Sequence, residues 1–224
     1  MNTEDVWRAI DDQRRRLVDL LQGLSQEEWQ QPSLCQGWTV RDVAAHVALQ
    51  NTTWSGLPKG IWVAIREGGM NPAIAAVARE HARLPTDQII GEIRDRIGVW
   101  RPLPSVTYRE SLIDYLVHPQ DIAIPLGREL PMPSDAAVVA VDRVWSSDRM
   151  FHARKRYPGY RFVATDADWV VGEGAKVVGP VGGLLLLLTG RPAGLRNLTG
   201  PGADVLRTRP SCRDESVAEP NGDA

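Results

Sequence analysis

Over residues 1–126 the chain repeats one pattern: an apolar stripe at helical spacing, opened by a capping residue and closed by a glycine or a proline. Val6, Ile10, Leu17, Leu20, Leu21 and Leu24 make the first stripe. Thr3 is placed to cap it, and Glu4 and Asp5 fall in the first turn, where carboxylates meet the positive end of the helix dipole. Gly23 closes it, and Ser25 with Glu28 three residues later forms a second, short capping signal. Thr39 and Asp42 open the next helix, whose stripe is Val40, Val43, Ala44, Val47 and Trp54. Residues 57–71 read as a loop with a short helical piece, and Asn71-Pro72 starts a helix carrying Ile74, Val77 and Ala78. Thr86 caps a helix running through Ile89, Ile90, Ile93, Ile97 and Trp100. Ser105 or Thr107 opens a last one holding Leu112, Tyr115, Leu116, Ile122 and Ala123, which Pro119 is expected to bend or weaken. Helices with one apolar face bury those faces against each other, so a four-helix bundle with at least one long connection is expected.

The pattern changes at Pro131-Met132-Pro133. Ser134 caps a helix to about Arg149, and residues 160–171 then alternate and are rich in aromatic and β-branched side chains, as strands are. Gly172-Glu173-Gly174 reads as a hairpin turn, with a returning strand over 175–178. A helix over 181–188 closed by Gly190, a shorter helix around 193–198 and an edge segment at Val205-Leu206 complete a small mixed unit. The expected fold class is α+β: a helical bundle over 1–130, a small α/β domain over 131–207, and a polar, disordered tail over 208–224.

Composition removes several function classes. A net charge of -2 and a pI of about 6.1 leave no basic field for nucleic acid. The apolar run 177–188 is shorter than the roughly 18–20 residues a membrane span needs and is broken by glycines and Pro180. Cys35 and Cys212 are the two cysteines, too few for a disulfide framework, and no apolar leader follows the start. A cytoplasmic protein without membrane or nucleic-acid partners is expected.

Chemistry concentrates in two helices. His46 lies at one edge of its helix's apolar stripe, either as a hydrogen-bonded boundary histidine or as a ligand aimed across a seam. Asp114 and His118 stand four apart on one helical face, a spacing that suits chelation of one divalent ion and equally a solvated polar stripe. Glu110 continues that line one turn earlier, and Asp121 lies within about one turn. Cys35 has no base near it in sequence and reads as a half-buried thiol in the turn before a helix. The run Arg14-Arg15-Arg16 reads as solvated helix surface, and His81 and His152 as surface or boundary residues. Trp38 reads as an anchor at a helix entry.

The run Cys35-Gln36-Gly37-Trp38-Thr39-Val40-Arg41-Asp42-Val43-Ala44-Ala45-His46 resembles the metal-binding N-terminal domain of the mycothiol-dependent maleylpyruvate isomerases, within the DinB-like four-helix-bundle superfamily. The spacing Asp114, His118, Asp121 is similar to that family's second motif, an acidic residue followed by His and Asp. Residues 165–172, Gly179-Pro180, Gly190-Arg191 and 198–202 resemble its sterol-carrier-like C-terminal domain. The resemblance spans about residues 5–207.

The resemblance implies His46, Asp114 and His118 as metal ligands, with Asp114 standing where the family usually has Glu and with Glu110 as an alternative contributor. It implies that Arg191 lies near the metal cleft, where a guanidinium can hold a substrate carboxylate. The cofactors implied are a divalent metal (zinc first, then nickel or iron) and a mycothiol-like thiol. A thiol activated by such an ion can add to and leave an activated double bond, or displace a leaving group. The partners expected are therefore a small-molecule substrate and a thiol, in an isomerase or S-transferase. The competing expectation is a non-catalytic metal- or small-molecule-binding protein with the same fold.

Overall fold

The computed structural model describes residues 1–49, 70–102, 107–147 and 150–209. Trp54, Ser105, Cys212, most of the 57–71 loop and nearly all of the expected tail lie outside the described residues. Helices α1 (Thr3–Gln22), α2 (Gln26–Gln30), α3 (Val40–Ala48), α4 (Met70–His81), α5 (Thr86–Arg94) and α6 (Tyr108–Ala123) come first. Then follow α7 (Ser134–Ser146), α8 (Ala153–Arg156), strands β1 (Tyr160–Ala164), β2 (Val170–Gly172) and β3 (Ala175–Gly179), and helix α9 (Val181–Leu188). A 3-10 segment over Pro192–Asn197 leads into α10 (Pro201–Thr208). The chain is α+β, helical in its N-terminal region with one three-stranded sheet. Among the described residues no helix is long and apolar enough to cross a membrane.

Local chemistry explains four of the helix starts. Ser25 with Glu28, Thr39 with Asp42, and Thr107 with Glu110 form reciprocal capping boxes, each satisfying two free backbone N–H groups. Helix α1 is capped one residue earlier than the sequence suggests: Asn2 takes the Asp5 N–H and Asp5 takes the Asn2 N–H. Helix α6 continues through Pro119 and is buried around most of its circumference, because α1 and α3 pack on it from the bundle and α7 from the other side. Its polar stripe is therefore not a solvated face, and Glu110 and Asp121 are both buried.

Arg14 is the largest departure from expectation on α1. It is 1% exposed, not solvated. Its Nη1 donates to Asp11 Oδ1 at 2.9 Å and to the Arg96 carbonyl at 2.6 Å, and its guanidinium lies 4.7 Å from the centre of the Tyr115 ring. Asp11 also accepts the Gly98 N–H at 3.0 Å and the Trp100 indole N–H at 2.8 Å. This buried pair pulls residues 96–100 onto α1, which is why α5 stops at Arg94 and does not reach Trp100. Arg15 remains exposed and pairs only with Asp12.

The sheet has the order β2-β1-β3, with β2 antiparallel and β3 parallel to β1. Gly172-Glu173-Gly174 is therefore not a hairpin turn. The chain crosses the N-terminal end of β1 and returns on its far side, with Ala175 donating to the Gly159 carbonyl at 2.9 Å. Gly172 and Gly174 have φ of +72° and +114°, and a Cβ on either would strike the Tyr160 or Gly159 backbone, so the crossing requires both glycines. Phe162 of β1 packs its ring against Trp145 and Tyr157. The apolar helix α9 is buried against α7, β1 and the 3-10 segment, and Asp166 Oδ1 accepts its first N–H, from Val181, at 2.8 Å. Val205-Leu206 sits in α10 and not in an edge strand; the backbone that extends the β3 edge is Thr199, bridged to Val178. Helix α7 ends at Ser146, short of Arg149.

Two predictions follow from buried charge. Arg14→Ala leaves Asp11 buried without its cation, so urea unfolding is expected to show a loss of about 3–5 kcal/mol, against under about 0.5 kcal/mol for Arg15→Ala. Glu110 is the second case. Burial opposes its charge, but its bonds to Thr107 and to Arg143 Nε at 2.5 Å outweigh burial and hold its pKa below the ordinary 4.5. A depressed folded pKa gives stability that is present above the unfolded value and lost as pH falls through the folded one. The melting temperatures of wild type and Glu110→Gln are therefore expected to differ at pH 7 and to converge as the pH is taken below 4.5.

Candidate metal centre

The site forms where three stretches of chain meet: residues 33–38 and α3, the C-terminal half of α6, and the loop after α9. The first stretch is set by backbone bonds. Ser33 N–H donates to the Trp38 carbonyl at 2.9 Å, Trp38 N–H to the Cys35 carbonyl at 3.0 Å, and Leu34 N–H to the Asp121 carbonyl at 3.1 Å. A tight turn through Gly37, at φ +73°, then delivers Trp38 and the capped start of α3. His46 lies two turns along α3, its ring 5.5 Å from Trp38 and 4.9 Å from His118, edge-on to both.

His118 and Asp114 project from α6 one turn apart. His118 Nε2 lies 4.0 Å from Asp114 Oδ1, while its Nδ1 is 2.9 Å from Asp121 Oδ2. Asp121 is fully buried. Its two oxygens also receive Arg191 Nε at 3.0 Å, Arg191 Nη2 at 2.7 Å and the Cys35 thiol at 3.1 Å. Arg191 reaches in from beyond α9. Gly190, at φ +87°, turns the chain there, and Arg191 Nη1 donates to the Thr189 carbonyl at 2.7 Å.

The electrostatics separate the two histidines. Burial and the neighbouring His118 charge push His46 down to about 3, so it is a neutral imidazole with a lone pair to give. Burial also works against charge on His118, but the bond to Asp121, the Cys35 contact and the flanking carboxylates raise it to about 10. Asp121 is held at about 2: burial opposes its charge, and His118 and Arg191 outweigh it. Asp114 keeps 40% of its side-chain surface, and burial raises its carboxyl above the usual value.

Of the residues expected from the sequence, His118 stands near both others, with the His46 ring centre 4.9 Å from its own and Asp114 Oδ1 4.0 Å from its Nε2, and Arg191 is linked to it through Asp121. Glu110 is elsewhere: it caps α6 at Thr107 and pairs with Arg143 of α7, so it has no part in this cluster. Cys35 and Asp121 are the members that the reading of the sequence left out. Cys35, His118 and Asp121 have ligand atoms within 4.8 Å of one another, the one such donor set of three among the described residues, and His118 belongs to it. Asp121 was within reach as the residue three after His118, and Cys35 as the first residue of the motif that delivers His46. His81 also has a partner that local spacing does not show, Glu92 Oε2 of α5 at 2.5 Å.

Comparison with known proteins bears on the same region. Residues 10–99 match the family model of the mycothiol maleylpyruvate isomerase N-terminal domain. Two crystal structures of mycothiol-dependent maleylpyruvate isomerase share the fold. One is a histidine-to-alanine mutant, with a TM-score of 0.63, and the other has a TM-score of 0.57. Each is 14% identical, covering 94% of this chain and 96% of that one. No curated protein sequence matches the chain.

Proposed function

We propose, from the match of residues 10–99 to the family model of the mycothiol maleylpyruvate isomerase N-terminal domain, that this protein is a metal-dependent enzyme. In this reading it uses a low-molecular-weight thiol, of the mycothiol type, to isomerise or S-transfer to a small organic substrate. The single observation that carries the reading is the approach of a neutral His46, its ring centre 4.9 Å away, and of the Asp114 carboxylate, 4.0 Å from Nε2, to the one His118 ring.

The donors suit a divalent transition ion. Ligands of a tetrahedral zinc, each about 2.0–2.1 Å away, stand about 3.3–3.5 Å apart, so the 4.0 Å between Asp114 and His118 closes with a small side-chain adjustment. Two imidazoles and one carboxylate leave a fourth position for a thiol or water, as catalytic zinc sites do. When bound, such an ion supplies the positive charge that lowers a thiol's pKa and favours the thiolate.

The Cys35–His118–Asp121 set is the weaker candidate for that ion. Asp121 already accepts from four donors, two of them from the Arg191 guanidinium, and a divalent cation placed there would be held against that positive charge. Arg191 itself spends Nε and one Nη2 hydrogen on Asp121, the other Nη2 hydrogen on the Cys35 sulfur at 3.5 Å, and one Nη1 hydrogen on Thr189. Its role toward a substrate carboxylate therefore rests on the remaining Nη1 hydrogen.

The test is metal content and turnover together. Purified protein, reconstituted with zinc and measured by mass spectrometry, is expected to carry about one divalent ion per chain. His46→Ala and His118→Ala are expected to lose it, and Cys35→Ser to keep it. Thiol-dependent turnover of unsaturated acids should disappear in the same two histidine variants. An ion-free wild type after reconstitution would overturn the proposal. Full metal loading without turnover across a panel of thiols would assign the chain to metal or ligand binding alone.

A further inference from the structure

Asp121 holds more of the site together than any proposed ligand does. A buried carboxylate is expensive unless it is paired, and this one collects His118, Arg191 and Cys35 at 2.7–3.1 Å. The His118 bond has a directional consequence. A carboxylate only accepts, so Nδ1 of His118 must carry its hydrogen toward Asp121. The ring then cannot turn over, and Nε2 is the one nitrogen left on the Asp114 side. Arg191 meanwhile places the loop after α9 on the same two oxygens, so the C-terminal half of the chain is fixed to the residue that orients His118.

We propose that Asp121 is the positioning residue of this centre, locking the His118 ring with Nε2 toward Asp114 and coupling that orientation to Arg191. The inference rests on the metal-dependent reading above and adds a residue that ligates nothing itself. A hydrogen-bonded partner on the far nitrogen of a metal-bound histidine fixes the ring and strengthens the ligand, and its loss usually weakens binding by about 10–100-fold.

Zinc affinity, measured by competition with a chromogenic chelator, tests this on the full chain, with thermal melts confirming that each variant is folded. Asp121→Asn keeps an acceptor for Nδ1 and is expected to bind about tenfold more weakly than wild type. Asp121→Ala keeps none and is expected to bind about a hundredfold more weakly. Cys35→Ser should bind as wild type does. Cobalt substituted into Asp121→Asn should show the wild-type visible bands, because the ligand set is unchanged. Equal zinc affinity in wild type and Asp121→Asn would overturn the inference and leave the metal reading standing. A changed cobalt spectrum in Asp121→Asn, or a loss in Cys35→Ser as large as that in Asp121→Ala, would overturn it by making Asp121 and Cys35 the ligands. No zinc in the wild type would overturn both readings, and that outcome is distinct because it appears before any variant is compared.

Discussion

The carboxylate of Asp121 is the constraint around which the rest of the site is arranged. It is fully buried, so its charge is tolerated because His118, Arg191 and Cys35 surround it. Those three residues come from α6, from the loop after α9 and from the turn before α3. The backbone of the same residue adds a fourth tie, since its carbonyl accepts the Leu34 N–H. One residue thus sets the distance between the helix that carries Asp114 and His118, the turn that delivers His46, and the C-terminal half.

A second buried charge does comparable work at the other side of α1. Arg14 and Asp11 are enclosed together and recruit the Arg96 carbonyl, the Gly98 N–H and the Trp100 indole. The connection between α5 and α6 is thereby held on α1 and against Tyr115 of α6. Apolar burial alone lets helices slide by a turn at modest cost, whereas a buried ion pair with directed hydrogen bonds is satisfied in one register only. Both clusters touch α6, which explains why this helix is enclosed around most of its surface although it carries Glu110, Asp114, His118 and Asp121. We propose that the division at Pro131 separates two folding units. The apolar core nevertheless runs across it through the packing of α6 on α7.

Much of the fold was legible in local signals. Ser25, Thr39 and Thr107 start helices where their capping partners three residues later say they should, because a capping box is completed within four residues. The apolar run over 181–188 is a buried helix, and residues 160–164, 170–172 and 175–179 are strands. What misled is informative in the same terms. Gly172-Glu173-Gly174 has the composition of a hairpin turn, but those glycines serve a close crossing over Gly159 and Tyr160, and composition does not distinguish the two. Val205-Leu206 is apolar and β-branched, yet it is helical, because Pro201 and Gly200 start a helix there that packs on β3. Arg14 stood in a run of three arginines, where the spacing says surface; its burial depends on Asp11 and on carbonyls more than eighty residues away.

By itself the sequence determined the α+β class and the helix starts at Ser25, Thr39 and Thr107, which are written in spacing within one element, while His46, Asp114 and His118 were singled out by the resemblance of their motifs to a known family. Only the tertiary structure decided that the polar stripe of α6 faces inward, that Glu110 is a cap and ion-pair partner, and that Asp121 and Cys35 stand beside His118. The physical reason is the range of the interactions. Caps and stripes are settled within one or two turns of backbone, whereas burying a charge requires partners that meet only when distant segments pack, here 86 residues from Cys35 to Asp121 and 70 from Asp121 to Arg191.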